Sequence, residues 1–176
     1  MKEKYIKIEN IHKFYKNKYG LGLFFGNNLK KNVVLEDLNN VIYQGDIVFI
    51  DGKNGAGKTT LLKIILGLIV PDSGKIHLIG YKKNNIALAS ASDRSFFWRL
   101  SVEENLNFFA SIYGLSKKFA VTEIDKWLKF FDLDKLRNSP YMTLSKGEEK
   151  KLALARLALK NPQIALFDEP FNSIDK

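Results

Sequence analysis

Apolar and polar side chains alternate along Tyr5–Glu9, which predicts a short strand. Glycine and asparagine interrupt Lys16–Lys31. That stretch reads as a long loop or an inserted hairpin, with Leu21, Leu23, Phe24 and Phe25 available as an exposed apolar tip. Val33–Val41 predicts another strand region. Asp46–Asp51 is short and strongly apolar and predicts a strand, and Gly52–Gly57 follows it as a tight loop. Lys58–Leu68 is apolar nearly all round its helical projection, which predicts a buried helix. Pro71–Gly74 is a turn, Lys75–Ile79 is a strand ended by Gly80, and Asn85–Ala89 is a further short strand.

From Ser101 the period changes to helical. Ser101 and Glu104 have capping-box spacing, and the helix they open runs to Tyr113 and stops at Gly114. Thr122–Phe131 is a second helix. Ser145 and Glu148 form another capping box before a helix reaching Lys160, which Asn161-Pro162 ends. Ile164–Phe167 is a continuous apolar strand closed by Asp168-Glu169-Pro170. Strands and helices interleave, with one helix-rich stretch near 100–160, so the pattern predicts an α/β core with a helical insertion.

Composition narrows the class. A chain of 176 residues fits one domain with a real core. Hydrophobic residues at 45% and charged residues at 27% argue against wholesale disorder. With no cysteine there is no disulfide framework and no thiolate metal site, which fits a reducing cytosol. Met1–Lys18 is lysine-rich without a continuous apolar core, so no signal peptide is expected, and no run of about eighteen apolar residues predicts a membrane span. The net charge of +9 admits nucleic acid, an anionic membrane surface or nothing specific. Its lysines are scattered along the chain, which reads as solvated surface.

Gly52-Lys53-Asn54-Gly55-Ala56-Gly57-Lys58-Thr59 fits G-x-x-x-x-G-K-[ST] between an apolar strand and a helix. Glycines let the backbone curl so that successive N–H groups face phosphate oxygens. The helix beginning near Lys58 adds its positive end. Lys58 is the candidate for the β- and γ-phosphates, Thr59 for Mg²⁺ and Thr60 for the α-phosphate. Asp168 and Glu169 end the later apolar strand. The first carboxylate is a candidate to hold Mg²⁺ through water, and the second to act as general base on an attacking water. Kinases and GTPases with a phosphate loop share this much.

Leu144-Ser145-Lys146-Gly147-Glu148 separates the families. By itself it is a capped helix start. It is followed by Lys150-Lys151-Leu152-Ala153-Leu154-Ala155-Arg156, then Asn161-Pro162, then the acidic strand. This order resembles the ABC ATPase family, whose signature loop L-S-G-G-Q stands at this distance before its acidic strand. The match extends over nearly the whole chain. Tyr15 lies where the family places an aromatic against adenine, and Ser173-Ile174-Asp175 resembles its D-loop.

The resemblance implies a P-loop NTPase core with a mixed sheet, an antiparallel β region and a helical insertion. As one ABC ATPase domain, 1–85 and 161–176 form the core and β region, and 86–160 the helical signature part. ATP and Mg²⁺ are the implied cofactors. Lys58 and Glu169 are the implied catalytic residues, and Thr59 and Asp168 the metal ligands. Tyr15, Asn54, Gly55, Ala56, Gly57, Lys58, Thr59 and Thr60 hold the nucleotide in one copy. Ser145 and Gly147 of a second copy, homologous or identical, complete the site in a head-to-tail pair. ATP then joins the subunits and hydrolysis releases them. The implied location is cytoplasmic, peripheral on the inner face of the membrane. A transmembrane permease is expected at Ser92–Trp98, where Phe96-Phe97-Trp98 is either core of the helical part or an apolar anchor. The stretch Asp93–Leu115 looks most like ATPases serving ABC-2-type exporters.

The sequence also departs from the family pattern. Lys146 and Glu148 replace a glycine and the glutamine of the signature. The Q-loop position falls at about Ser92, with no glutamine nearby and Asp93 as a substitute. The two histidines, His12 and His77, are not placed for the family's switch position, and the sequence stops at Lys176, so the C-terminal end is expected to be truncated. Other readings are a catalytically weak partner in a heterodimer, a soluble ABC ATPase acting on ribosomes or nucleic acid, and a small-molecule P-loop kinase. Nucleic acid is not expected, because the sequence shows neither two cassettes nor a long coiled coil. No kinase substrate site is visible either.

Overall fold

The computed structural model describes residues 4–16, 31–90 and 95–168. Contacts divide the chain into two units, 1–83 and 84–176. In the first, β1 (Tyr5–Lys16) is the centre of an antiparallel sheet, with β2 (Lys31–Tyr43) on one side and β3 (Ser73–Ile79) on the other. α1 (Lys58–Ile65) contributes buried Leu61, Leu62, Ile64 and Ile65, while Ile6, Ile8 and Ile11 are buried on β1. The alternation of Tyr5–Glu9 captures only the start of β1. At Asn10 the backbone turns left-handed, with φ 48°, and the pairing register shifts, so the sequence period is lost although the strand continues. Asn39 Oδ1 accepts the Asn10 N–H at 2.9 Å and stabilises the irregularity.

Two other boundaries differ from the sequence pattern. α1 ends at Ile65, short of Leu68, because Gly67 adopts φ 78° and closes the helix. Gly67 N–H donates to Ile64 C=O and Leu68 N–H to Lys63 C=O, the reciprocal pair of a Schellman end. The expected strand at Asp46–Asp51 has no ladder partner among the described residues. Ile47 and Phe49 are 84% and 91% exposed. An apolar run becomes a buried strand only when neighbours supply hydrogen bonds and cover both faces, and the described residues of the first unit supply neither.

The second unit is helical over a parallel strand pair. Its elements are β4 (Ile86–Ser90), α2 (Val102–Ile112), α3 (Lys117–Phe130), α4 (Lys146–Lys160) and β5 (Ile164–Asp168). Val102, Leu106 and Phe109 from α2, Ala120, Ile124 and Leu128 from α3, and Leu152, Ala155 and Leu159 from α4 form one core at helical spacing. α3 starts five residues before the expected Thr122, because Ser116 caps it by accepting from Phe119 N–H at 3.4 Å. β4 and β5 pair in parallel from Ile86–Ile164 to Ser90–Asp168. Ala87 and Ala89 pack beneath Leu154 and Leu157 of α4. Parallel and antiparallel pairings therefore coexist, as the α/β reading expects.

Arg137 ties the helical unit together from the short turn after α3. Its guanidinium donates to Glu103 at 2.7 Å, Asp125 at 2.6 Å and Asp134 at 2.8 Å, and its backbone C=O accepts from Glu103 N–H at 3.0 Å. With 24% of the side chain exposed, these pairs are partly screened. Arg137→Leu is expected to cost about 1–2 kcal/mol, because three carboxylates lose their shared cation. Urea denaturation measures it, and an unchanged midpoint would show that the pairs add nothing.

Candidate nucleotide site

The phosphate loop is shaped by a backbone position that excludes a side chain. Gly57 caps α1 at φ 93°, ψ 5°, and a β-carbon there would lie 2.7 Å from Val34 Cγ1 and 2.8 Å from Val34 C=O. β2 makes this contact through a bulge: pairing passes from Lys13–Leu35 to Phe14–Val33 and skips Val34, so Val34 and Leu35 both reach the loop. The first backbone bond of α1 runs from Leu61 N–H to Gly57 C=O at 2.8 Å. Amides in the preceding turn therefore point out of the helix end rather than into its ladder. No acidic side chain stands in that first turn to offset the positive end.

Lys58 Nζ folds over the loop, donating to Gly52 C=O and, at 3.2 Å, to Lys53 C=O. Ala56 N–H closes the loop by donating to Lys53 C=O at 3.1 Å. Asn54, Gly55, Ala56 and Thr59 are exposed and Thr60 is half-buried, so the loop presents an open backbone with one ammonium at its rim. This donor set suits a polyphosphate, being cationic and rich in N–H groups, with one carboxylate, Asp51, at its start, where it accepts from Gly52 N–H at 2.7 Å.

Tyr15 stands on the face of the hairpin that meets the loop. Lys13 is opposite Leu35, and Tyr15, two residues along β1, shares its face. Lys13 Nζ lies 5.6 Å from the Tyr15 ring centroid, and the ring is 41% exposed. It is open to a flat partner. Lys13 is held from below by Asp72 at 3.2 Å and Val70 C=O at 3.0 Å, while Asp72 also accepts from Phe14 N–H at 2.9 Å. That backbone bond first, and Lys13 second, hold the Asp72 carboxyl below its usual range.

The second unit carries the remaining described candidates. Ser145 caps α4 and is exposed, and Gly147 follows in the first turn. The capping box is present in full: Ser145 Oγ accepts from Glu148 N–H at 3.3 Å, and Glu148 Oε2 accepts from Ser145 N–H at 2.7 Å. Asp168 closes β5 at the carboxyl end of the parallel pair, the end where α/β sheets bind ligands. No group of three or more His, Asp or Glu side chains among the described residues forms a metal cage. Glu169, Ser92, Asp93, the Leu21–Phe25 tip and Ser173–Asp175 lie outside the described residues.

Residues 35–172 match the family model described as ABC transporter. The chain belongs to that family. It is 34% identical over 156 residues to the ABC transporter ATP-binding protein NatA of Bacillus subtilis, covering 83% of this chain and 63% of NatA. The chain thus spans less than two thirds of that relative. An ABC transporter ATP-binding protein from Pyrococcus furiosus superposes with a TM-score of 0.76 at 28% identity, over 98% of this chain and 78% of the other. A dimeric ATP-binding cassette in a post-hydrolysis state with ADP and Pi gives 0.78 at 24% identity, over 97% and 76%, and shares the fold.

One residue of this ABC ATPase domain went unread in its sequence. Asn105 is fully buried, the one buried polar side chain among the described residues. Its Oδ1 accepts from Phe97 N–H at 2.8 Å. Its Nδ2 reaches the carbonyls of Phe97 at 3.0 Å, Leu100 at 3.2 Å and Ser101 at 2.9 Å. The loop before α2 is thereby fixed, with Phe96 buried inward and Phe97 and Trp98 44% and 59% exposed. The available signal was a lone amide beside the apolar stripe Val102–Leu106–Phe109.

Proposed function

We propose that this cassette binds and hydrolyses ATP in a head-to-tail pair with a second ABC ATPase copy, and thereby energises a membrane exporter. Lys58 and the amides of 54–60 take the phosphates, and Tyr15 takes the adenine. Thr59 and Asp168 are the ligands assigned to Mg²⁺, which would offset phosphate charge. Glu169 is the general base for the attacking water. Ser145 and Gly147 of the partner copy face the terminal phosphate. The observation carrying this reading is the helix start at Gly57–Thr60, left-handed at its cap and free of acidic side chains in its first turn, which suits a phosphate.

The permease is assigned to Ser92–Trp98. Its support is the pair of outward aromatic rings at Phe97 and Trp98, held on a loop that Asn105 makes rigid. The domain would work at the inner face of the membrane. No described helix is long and apolar enough to cross a membrane.

A site shared by two chains has a kinetic signature. ATP hydrolysis per chain should rise with protein concentration and then saturate as pairs form. A rate per chain that is flat across the dilution series would overturn the pairing. Nucleotide binding without hydrolysis at any concentration would favour the catalytically weak partner instead.

A further inference from the structure

Ser145 spends its hydroxyl inside its own helix cap. Its Oγ donates to Glu148 Oε2 at 2.8 Å while accepting from Glu148 N–H at 3.3 Å, and Ser145 N–H donates to the same Oε2 at 2.7 Å. One carboxylate oxygen thus gathers both protons that Ser145 has to offer an anion. The two Ser145 donors, backbone first, hold the Glu148 carboxyl below its usual range, with Lys151 adding to the effect. The group is therefore charged at neutral pH. Lys146 does not neutralise it, because its Nζ is paired with Glu149 at 2.9 and 2.8 Å. An amide at position 148 would keep the cap through the serine N–H but, being neutral, would hold the Ser145 hydroxyl more weakly. It would add no charge.

We propose that Glu148 is a positioning residue that withholds the Ser145 hydroxyl and repels the terminal phosphate, so that this helix end engages ATP only when the carboxylate swings aside. The inference rests on the paired site proposed above and concerns how tightly that pair closes. Its consequence is a pair that needs more ATP to form than the same fold with a neutral side chain at 148.

The test compares the full chain, Glu148→Gln, Ser145→Ala and the double variant by light scattering across MgATP and MgADP titrations. Glu148→Gln should lower the MgATP concentration for half-maximal association by about tenfold or more, the scale of removing a like charge from an interface. MgADP, which lacks the terminal phosphate, should show no such shift. In the Ser145→Ala background the gain should shrink, because the restrained hydroxyl is gone. A merely structural role for Glu148 would leave the MgATP midpoint where it is. An unchanged or higher midpoint in Glu148→Gln, with the parent chain still associating on MgATP, overturns the inference and leaves the pairing intact. Absence of association in every variant, while each still binds nucleotide, overturns the pairing and this inference with it.

Discussion

Lys58→Ala is expected to weaken MgATP binding by about a hundredfold or more. The Lys58 ammonium is held at the rim of the loop by Gly52 and Lys53 carbonyls, in reach of whatever the loop encloses. On binding it exchanges those neutral acceptors for charged phosphate oxygens. Two charge-assisted bonds at about 1.5 kcal/mol each come to about 3 kcal/mol, which is roughly a hundredfold in affinity. Alanine removes them and also unties the loop, since the same ammonium joins its two ends. Isothermal titration with MgATP measures the loss, with circular dichroism as the check on folding. Binding within about threefold of the parent chain would remove the phosphate loop from the account of this protein, because 1.4 kcal/mol is already tenfold.

Asn105→Leu is expected to destabilise the helical unit by about 2–4 kcal/mol. The size of the side chain is kept, so the loss is one of hydrogen bonds rather than volume. The three carbonyls each retain a bond: Phe97 C=O from Leu100 N–H at 3.2 Å, Leu100 C=O from Tyr141 N–H at 2.9 Å, and Ser101 C=O from residue 105's own N–H at 3.0 Å. Phe97 N–H loses Asn105 Oδ1, its acceptor at 2.8 Å. Losing the acceptor of this partly shielded amide costs about 1–2 kcal/mol, and the three weakened carbonyls add the rest. In a chain of this size that is about 5–10 °C in melting temperature. Trp98 sits in the affected loop and is one of two tryptophans, so its fluorescence reports the change directly. A melting temperature within about 1 °C of the parent would show that the four bonds are not the loop's support.

Much of this was legible in the sequence because caps and glycines act locally. Ser101–Glu104 and Ser145–Glu148 announce helix starts by spacing alone, and both boxes are formed. Gly57–Lys58 places the phosphate loop for the same reason, since a left-handed cap before a helix admits few residues. What depends on distant partners was not legible. β1 runs past Glu9 because Asn39, twenty-nine residues on, accepts from Asn10. Asp46–Asp51 has a strand's composition but not a strand's neighbours in its unit. Asn105 reads as an ordinary helical asparagine until the Phe97–Ser101 loop folds over it. Arg137 has no signature at all, because its three acids come from α2, α3 and the following turn.

α4 contributes Leu152 and Ala155 to the helical core and Leu154 and Leu157 to the strand pair, and Lys160 Nζ holds its last turn to Ile86 C=O at 2.6 Å. The helix is therefore gripped along its length and moves with its core as one rod, with Lys160 at one end and Ser145 at the other. Fifteen residues make an arm of about 22 Å, so a swing of about 5° about Lys160 carries the serine about 2 Å. A displacement of that size makes or breaks a hydrogen bond. In the paired site proposed above, a small tilt of the helical core would thus be enough to take the signature end into or out of reach of the phosphate.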